Sequence, residues 1–433
     1  MPPPKKNSAL FQNKLAAVPV RYCPVRYWMV LAALAIRLAV IPFVCDEWMS
    51  PYNMTHFEQG NVAQSLLEGR GFSSPFASNQ PSAIMPPMYP LILAGIFAIF
   101  GIHTTTSILA ALALNCLFSA LACLPLVLVA ERAFGRRVAL WTGWAWVFSP
   151  YGVYFSAEWP WATHLLLLCL CWMLVLAQKM ESSGNWRLWA SFGLLSGFAA
   201  LAEPSVLILV PWLILLACYG RNRLRASWFW QAATSLVLLI AMLAPWTIRN
   251  AMVFHRLIPL RDGMGLEMWL GNNGSTRHWR DNTYHPNHNA AELAEYNQAG
   301  ELAYMDHKQR QADDYIHAHR GWYAWMCLRR AGYLWTGYWS LDAAYLEGES
   351  LDPPNIFFWT TLVLLTLAGL ILAWKQHQAE VLRFGGILFL YPIPYYFSHP
   401  ETYRMRPLDP LVLMLCCYAL LNWRKKPEIE GKM

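Results

Sequence analysis

Between Tyr27 and Asn422 the chain alternates apolar runs with short loops in which Arg and Lys collect, and this alternation limits the fold more than any other feature. An apolar run of about 20 residues can cross a bilayer as a helix, which bonds its own backbone amides where no water is available. Hydrophobic residues make up 56% and charged residues 14% of the 433 residues, whereas a soluble domain carries about 25% charge. The chain is therefore read as an all-α polytopic integral membrane protein. Its net charge of +7 lies in the loops between apolar runs, as the charge bias of cytoplasmic loops requires. No basic stripe with interleaved aromatics is present, so no nucleic-acid partner is expected. The ten cysteines show no C-x-x-C spacing and read as small core residues.

The positions of the basic loops fix the expected topology. Met1 to Arg26 is basic and is taken as a cytoplasmic N-terminus before a first, uncleaved span from Tyr27 to Cys45. The polar stretch that follows, from Asp46 to Pro90, is then outside. Met88 to Gly101 is apolar but short, and is expected as a helix lying on the outer face. Further spans are expected at Thr104–Ala130, Val138–Phe155, Trp161–Ala177, Leu188–Ala202, Ser205–Tyr219 and Trp228–Trp246, then at Ile356–Trp374, Phe384–Phe397 and Leu408–Asn422. That makes about ten transmembrane helices. Three parts follow: a membrane core over 1–246 that includes the outer loop 46–103, a large outer loop domain over 247–355, and the closing helices and cytoplasmic tail over 356–433. Within the large loop, Leu257 to Leu260 reads as a short strand, and Ala291 to Arg330 has the spacing of a small helical lid.

Several polar residues stand out against this background. Thr55-x-x-Glu58 has capping-box spacing, so Glu58 reads either as a helix cap or as an outer-face base. Asp46 and Glu47 are the alternative carboxylates, and Glu158 follows an aromatic-rich span end. Arg37 lies inside the first span, where a charge is costly; an internal ion pair, with Glu203 as partner, and an anion contact are both open. Arg404 and Arg406 sit on the outer side, against the charge bias, which asks for an anionic partner such as a lipid headgroup or a phosphate. His285 and His288 share a loop without a third ligand, so no metal-ligating set is named.

The segments HFEQGNVAQSLLEGRGFSSPF, PSAIMPPMYPLILAGIF, PWTIRNAMVFHRLIPLRDGMGLEMWLGNN, NQAGELAYMDHKQRQADDYIHAHRGWY and YPIPYYFSHPETYRMRPLDPL, in that order, resemble bacterial glycosyltransferases of the GT-C superfamily. These are the relatives of protein O-mannosyltransferases and of the lipid A aminoarabinose transferase. The resemblance implies a GT-C-like fold with juxtamembrane helices in the first outer loop. It also implies transfer of a sugar from a polyprenyl-phosphate donor to a glycan, lipid or protein acceptor, at the periplasmic face of a bacterial inner membrane and among membrane lipids. Many relatives carry an Asp-Glu pair immediately before an Arg/Tyr-bearing helix; here Asp46-Glu47 lies well upstream and the helix itself carries Glu58.

Such chemistry needs one carboxylate to take the acceptor proton and a cation to stabilise the departing phosphate. Glu58 and Glu158 are the expected catalytic carboxylates, and Arg404, Arg406 and Arg37 the expected phosphate ligands. No cofactor is required beyond the lipid-linked donor, although a divalent metal ion is compatible with the resemblance. The other function class is a non-enzymatic transporter or lipid-linked glycan translocator. A transporter would set charges at mid-membrane on broken helices related by a repeat; here no repeat is found and the charges gather on one face.

Overall fold

The computed structural model describes residues 25–50, 53–54, 56–73, 75–76, 79–158, 160–276, 283–337, 339, 352–375, 377–398 and 401–423. The basic segment before Val25, Thr55, and the closing Arg424, Lys425 and Lys426 lie outside the described residues, and with them the topology read from those charges.

Helix α1 (Val25–Val44) leads into α2 (Asp46–Met49), α3 (Glu58–Leu67) and α4 (Met88–Phe100). Next come α5 (Thr105–Leu121), α6 (Cys123–Phe134), α7 (Arg136–Val147), α8 (Pro150–Glu158) and α9 (Thr163–Met180). After α10 (Trp186–Ala202), a 3-10 turn (Pro204–Ile208) enters α11 (Leu209–Arg223) and α12 (Phe229–Phe254). The long segment between α12 and the next membrane-length helix holds α13 (Met264–Gly271), α14 (Ala290–Ala299), α15 (Glu301–Ala318) and α16 (Arg320–Thr336). Then follow α17 (Asp352–Trp374), α18 (Gln378–Leu390), α19 (Ile393–Phe397), a second 3-10 element (Thr402–Leu408) and α20 (Asp409–Asn422).

Local sequence explains several boundaries. Thr104 and Ser107 form a reciprocal capping box at the start of α5, and the Asn289 side chain accepts from the Ala291 and Glu292 amides at the start of α14. Pro410 occupies the first turn of α20, where its missing N–H costs nothing.

Seven helices are long and apolar enough to cross a membrane: Val25–Val44, Thr105–Phe134, Thr163–Met180, Pro204–Arg223, Phe229–Phe254, Pro354–Trp374 and Tyr403–Asn422. The all-α polytopic class holds, but the expectation of about ten spans is corrected to seven such helices among the described residues. The expected span 138–155 divides at Phe148-Ser149 into α7 and α8, and 384–397 divides at Tyr391-Pro392 into α18 and α19. The expected span 188–202 forms a helix of 17 residues. Helix α12 continues past Trp246 to Phe254, further than its apolar run suggested.

The strand expected at Leu257–Leu260 does not form. Its carbonyls are taken by side chains of α12 instead: Trp246 Nε1 donates to Leu260, Thr247 Oγ1 to Pro259 at 2.9 Å, and Asn250 Nδ2 to Ile258 at 3.1 Å. The helical spacing over 291–330 corresponds to α14, α15 and α16.

Close backbone approach at small residues sets the packing of the membrane helices. Helices α10 and α12 meet at Gly193, where a Cβ would stand 2.2 Å from the Ser235 carbonyl oxygen. Ser235 Oγ in turn donates to the Trp189 carbonyl at 2.7 Å. Outside the membrane core, α13 lies on the backbone of α15 at Gly265, where a Cβ would come within 2.0 Å of the Met305 carbonyl oxygen. That contact seats α13, and with it Glu267, on α15.

Candidate active site

Glu58 is the first residue of α3, whose N-cap is Phe57 with no side-chain cap. The capping-box reading would have made it the third helical residue; its carboxylate instead meets the large outer loop. Asn287 Nδ2 donates to Glu58 Oε1 at 3.1 Å, and His285 Nε2 stands 3.2 Å from the same oxygen. His285 Nδ1 accepts from the Asn287 amide at 3.2 Å, so the ring proton lies on Nε2 and points to the carboxylate. Glu58 is thus held by residues more than two hundred positions away in the chain, on the face of α3 that the lid covers.

An aromatic ladder joins this carboxylate to the second half of the site. Trp48 contacts Phe57 (ring centroids 5.3 Å apart), Phe57 contacts Trp161 (5.8 Å) and Trp161 contacts Tyr403 (6.2 Å). Asp46 lies exposed at the foot of the ladder, two residues before Trp48, and Glu158 is buried at the end of α8, three residues before Trp161. The side chain of Glu47 is outside the described residues.

At the far end of the ladder Arg404 stands in the second 3-10 element, over the rings of Tyr395 (5.3 Å) and Tyr403 (5.7 Å). Its Nη2 donates to Glu267 Oε1 at 2.8 Å. Arg261 Nη2 reaches the same oxygen at 3.2 Å. Two guanidiniums therefore converge on one carboxylate oxygen. Glu203, at the turn between α10 and α11, is close enough to act on Arg404 electrostatically.

The arginines predicted together from sequence are separated by the structure. Arg406 is boxed by the rings of Tyr151, Phe155 and Trp359 at 4.3, 5.3 and 4.3 Å, with Asp409 at 3.5 Å. It ties α8, α17 and α20 together and is not placed beside Arg404's contacts. Arg37 stands in a different part of the fold again. It is fully buried, and its Nε donates to Ser119 Oγ (2.9 Å), Nη1 to the Ala33 and Val147 carbonyls (3.2 Å each) and Nη2 to the Trp146 carbonyl (2.9 Å). The Trp146 and Val147 carbonyls are in the last turn of α7, so the cation closes a helix C-terminus inside the membrane core while also bonding α5 and its own helix. Its N–H groups are spent there; Glu203, the expected partner, lies beside Arg404 instead. Arg249, a further outer cation, donates to the Phe72 and Ser82 carbonyls at 2.7 and 2.8 Å and so clamps the return of the first outer loop.

A third cluster lies under the lid. Both backbone groups of Ala83 are bound: its amide donates to Glu301 Oε1 at 2.6 Å and its carbonyl accepts from the Asp262 amide at 3.1 Å. Burial pushes the Glu301 carboxyl up to about 7, against the pull of its hydrogen bonds from Ser82, Ala83 and Tyr296. Burial likewise pushes Asp262 up to about 6, offset in part by Arg256.

Among the described residues no three His, Cys, Asp or Glu side chains gather where they would hold a metal ion. Sequence reasoning named neither Glu267 nor Arg261 and assigned His285 and Asn287 no role at Glu58. The signals available were weak: an Arg-Asp-Gly turn at 261–263 ahead of a short helix with one acid, and a His-Pro-Asn-His turn.

A family described as dolichyl-phosphate-mannose-protein mannosyltransferase matches residues 85–248. This match bears out the resemblance to GT-C superfamily membrane glycosyltransferases drawn from the sequence. No curated protein matches the chain. Among solved structures, the oligosaccharyltransferase of Archaeoglobus fulgidus tethered to an acceptor peptide is similar over 91% of this chain at 11% identity, with a TM-score of 0.49. The chain spans 49% of that protein's length. ArnT from Cupriavidus metallidurans bound to undecaprenyl phosphate is similar over 91% of this chain and 77% of its own, at 13% identity and a TM-score of 0.39.

Proposed function

We propose that this chain, matched over residues 85–248 to lipid-phosphate-dependent mannosyltransferases, transfers a sugar from a polyprenyl-phosphate donor to an acceptor hydroxyl at the outer face of the membrane. The observation that carries the proposal is the ladder from Glu58 to Arg404: a lid-held carboxylate at one end and a converging arginine pair at the other, on one face of the helices. In the reaction the acceptor oxygen bonds to the anomeric carbon as the bond from that carbon to the phosphate oxygen breaks. The bonding pair leaves with the polyprenyl phosphate, and the hydroxyl proton passes to Glu58.

Both contacts to Glu58 fall on Oε1 and orient the carboxylate, leaving Oε2 to take the proton. Arg404 faces the growing charge on the phosphate, with its plane fixed by Tyr395 and Tyr403. Glu158, buried near Trp161, is assigned to the acceptor side, and Asp46 and Glu47 are the alternative bases.

Glu58→Gln keeps the size and the contact with Asn287 but cannot take a proton, so transfer should fall by about two to four orders of magnitude with folding retained. The assay is transfer from a polyprenyl-phosphate sugar by the purified full chain, read beside the cell-envelope glycolipid and glycoprotein profile with and without the protein. A Glu58→Gln variant at the wild-type rate would move the base to Asp46 or Glu47. An unchanged glycan profile would remove the enzyme reading.

A further inference from the structure

We propose that Glu267 occupies the place of the donor phosphate between Arg404 and Arg261, so that the lipid-linked donor binds by exchanging one anion for another. The inference rests on the donor reading above and assigns Arg261 to the same phosphate. Arg404 and Arg261 come from segments far apart in the chain, yet both place Nη2 on the same oxygen, Glu267 Oε1. Two cations that converge on one carboxylate oxygen can converge on one oxygen of a phosphate in the same way.

The carboxylate fills this position incompletely. Nε and Nη2 form one edge of a guanidinium, suited to two acceptor oxygens at once. Glu267 bonds Nη2 of Arg404, while Nε of that arginine is buried with no hydrogen-bond partner. A buried donor on a charged group left unbonded is a standing cost, and a phosphate, with three oxygens to offer, removes it.

The surroundings fit an exchange. The side chains of Arg404, Glu267 and Arg261 are 12, 17 and 23% exposed, so the position is mostly enclosed. Tyr395 and Tyr403 hold the Arg404 plane whichever anion is present. Glu203 acts on Arg404 from the opposite element and does not hydrogen-bond it. Glu267 rides on α13, which is seated on α15 of the lid through Gly265. Release of Glu267 therefore frees the lid side of the site at the moment the donor arrives, and return of the carboxylate helps to expel the product, a polyprenyl phosphate.

The test titrates the full chain, in lipid nanodiscs, with a short-chain polyprenyl phosphate that carries no sugar. Glu267→Gln removes the competing charge and should tighten binding by about tenfold, whereas Arg261→Gln should weaken it by a similar factor. Glu267→Asp withdraws the carboxylate from one arginine and should also tighten binding, which keeps the test decisive if the Gln variant does not fold. Unchanged or weaker binding by folded Glu267→Gln overturns the exchange and makes Glu267 a brace for the two arginines. Absence of saturable binding by the wild-type chain overturns the donor site itself, a result distinct from failure of the exchange alone.

Discussion

Two charge clusters, one at each side of the membrane core, are built on opposite plans. On the cytoplasmic side of the expected topology, Arg383 of α18 bonds Glu380 of its own helix and Glu181 at the end of α9, and Gln178 donates to Glu380 at 3.3 Å. On the outer side, Glu267 is bonded by Arg261 and Arg404. The first is one cation between two carboxylates; the second is one carboxylate oxygen between two cations. At longer range Arg132 is felt by Glu181 and Glu203 by Arg404, so the difference lies in the contact shell. Both Arg383 and Arg404 leave Nε buried without a partner, so a half-used guanidinium edge alone does not mark a ligand site. What marks it is an excess of donors over acceptors in contact. The inner cluster has acceptors to spare and fastens helices; the outer one has donors to spare and suits an incoming anion.

The comparison breaks first at Arg383. Arg383→Ala removes a fully buried cation and leaves Glu181 and Glu380 half-buried without it, which should cost about 3 kcal/mol of stability. Thermal unfolding in detergent should show the loss, while transfer per folded molecule stays near wild type; a selective loss of transfer would mean that the inner cluster belongs to the site. Arg404→Ala should do the reverse, raising the barrier to transfer by roughly 2–4 kcal/mol with little change in unfolding. Arg404→Lys keeps the charge without the planar fork and should fall between the two. Similar unfolding losses for Arg404→Ala and Arg383→Ala would erase the distinction.

A third, smaller effect concerns carboxyls held without a bonded cation. Glu301 is met by neutral donors, and its carboxyl is pushed from 4.5 up to about 7 by burial; Asp262 is pushed from 3.8 up to about 6. A carboxyl whose value is raised on folding keeps its proton longer folded than unfolded. The stability it contributes is complete below the unfolded value and is lost as pH rises through the folded one, here between about pH 4 and 7. Docking of the Ser82-Ala83 return under the lid should therefore loosen over that window by on the order of 1 kcal/mol per pH unit. Hydrogen exchange at the Ala83 amide measures this directly, and Glu301→Gln should flatten the profile. Equal profiles for the two proteins would assign the pH dependence elsewhere.

Gly265→Ala tests the seat of α13 on α15. Its added methyl would meet the Met305 carbonyl and push α13 off α15, for about 1–3 kcal/mol. Because Glu267 moves with α13, polyprenyl-phosphate affinity should shift as well. A stability change with unchanged affinity would separate α13 from the anion site.

The membrane class and the helices of the 291–330 segment were legible in the sequence because hydrophobic run length and helical spacing are local quantities. Helix division was less so. Ser149-Pro150 and Pro392 break expected spans into pairs, and composition averaged over a window does not register a single break. The arginines show the same limit. A charge inside the apolar run of α1 announces that Arg37 must find partners, but those partners are carbonyls exposed only because α7 ends at Val147.

From the sequence alone came the kind of molecule, the chemistry its outer carboxylates and arginines are suited to, and the family it resembles. Which neighbours each arginine meets was decided only in three dimensions. Arg37 met a helix end, Arg406 met three aromatic rings, and Arg404 met a single carboxylate oxygen already shared with Arg261. The physical reason is that a guanidinium's availability depends on how many acceptors the fold brings within about 3 Å of its N–H groups, and those acceptors come from segments that no local pattern connects.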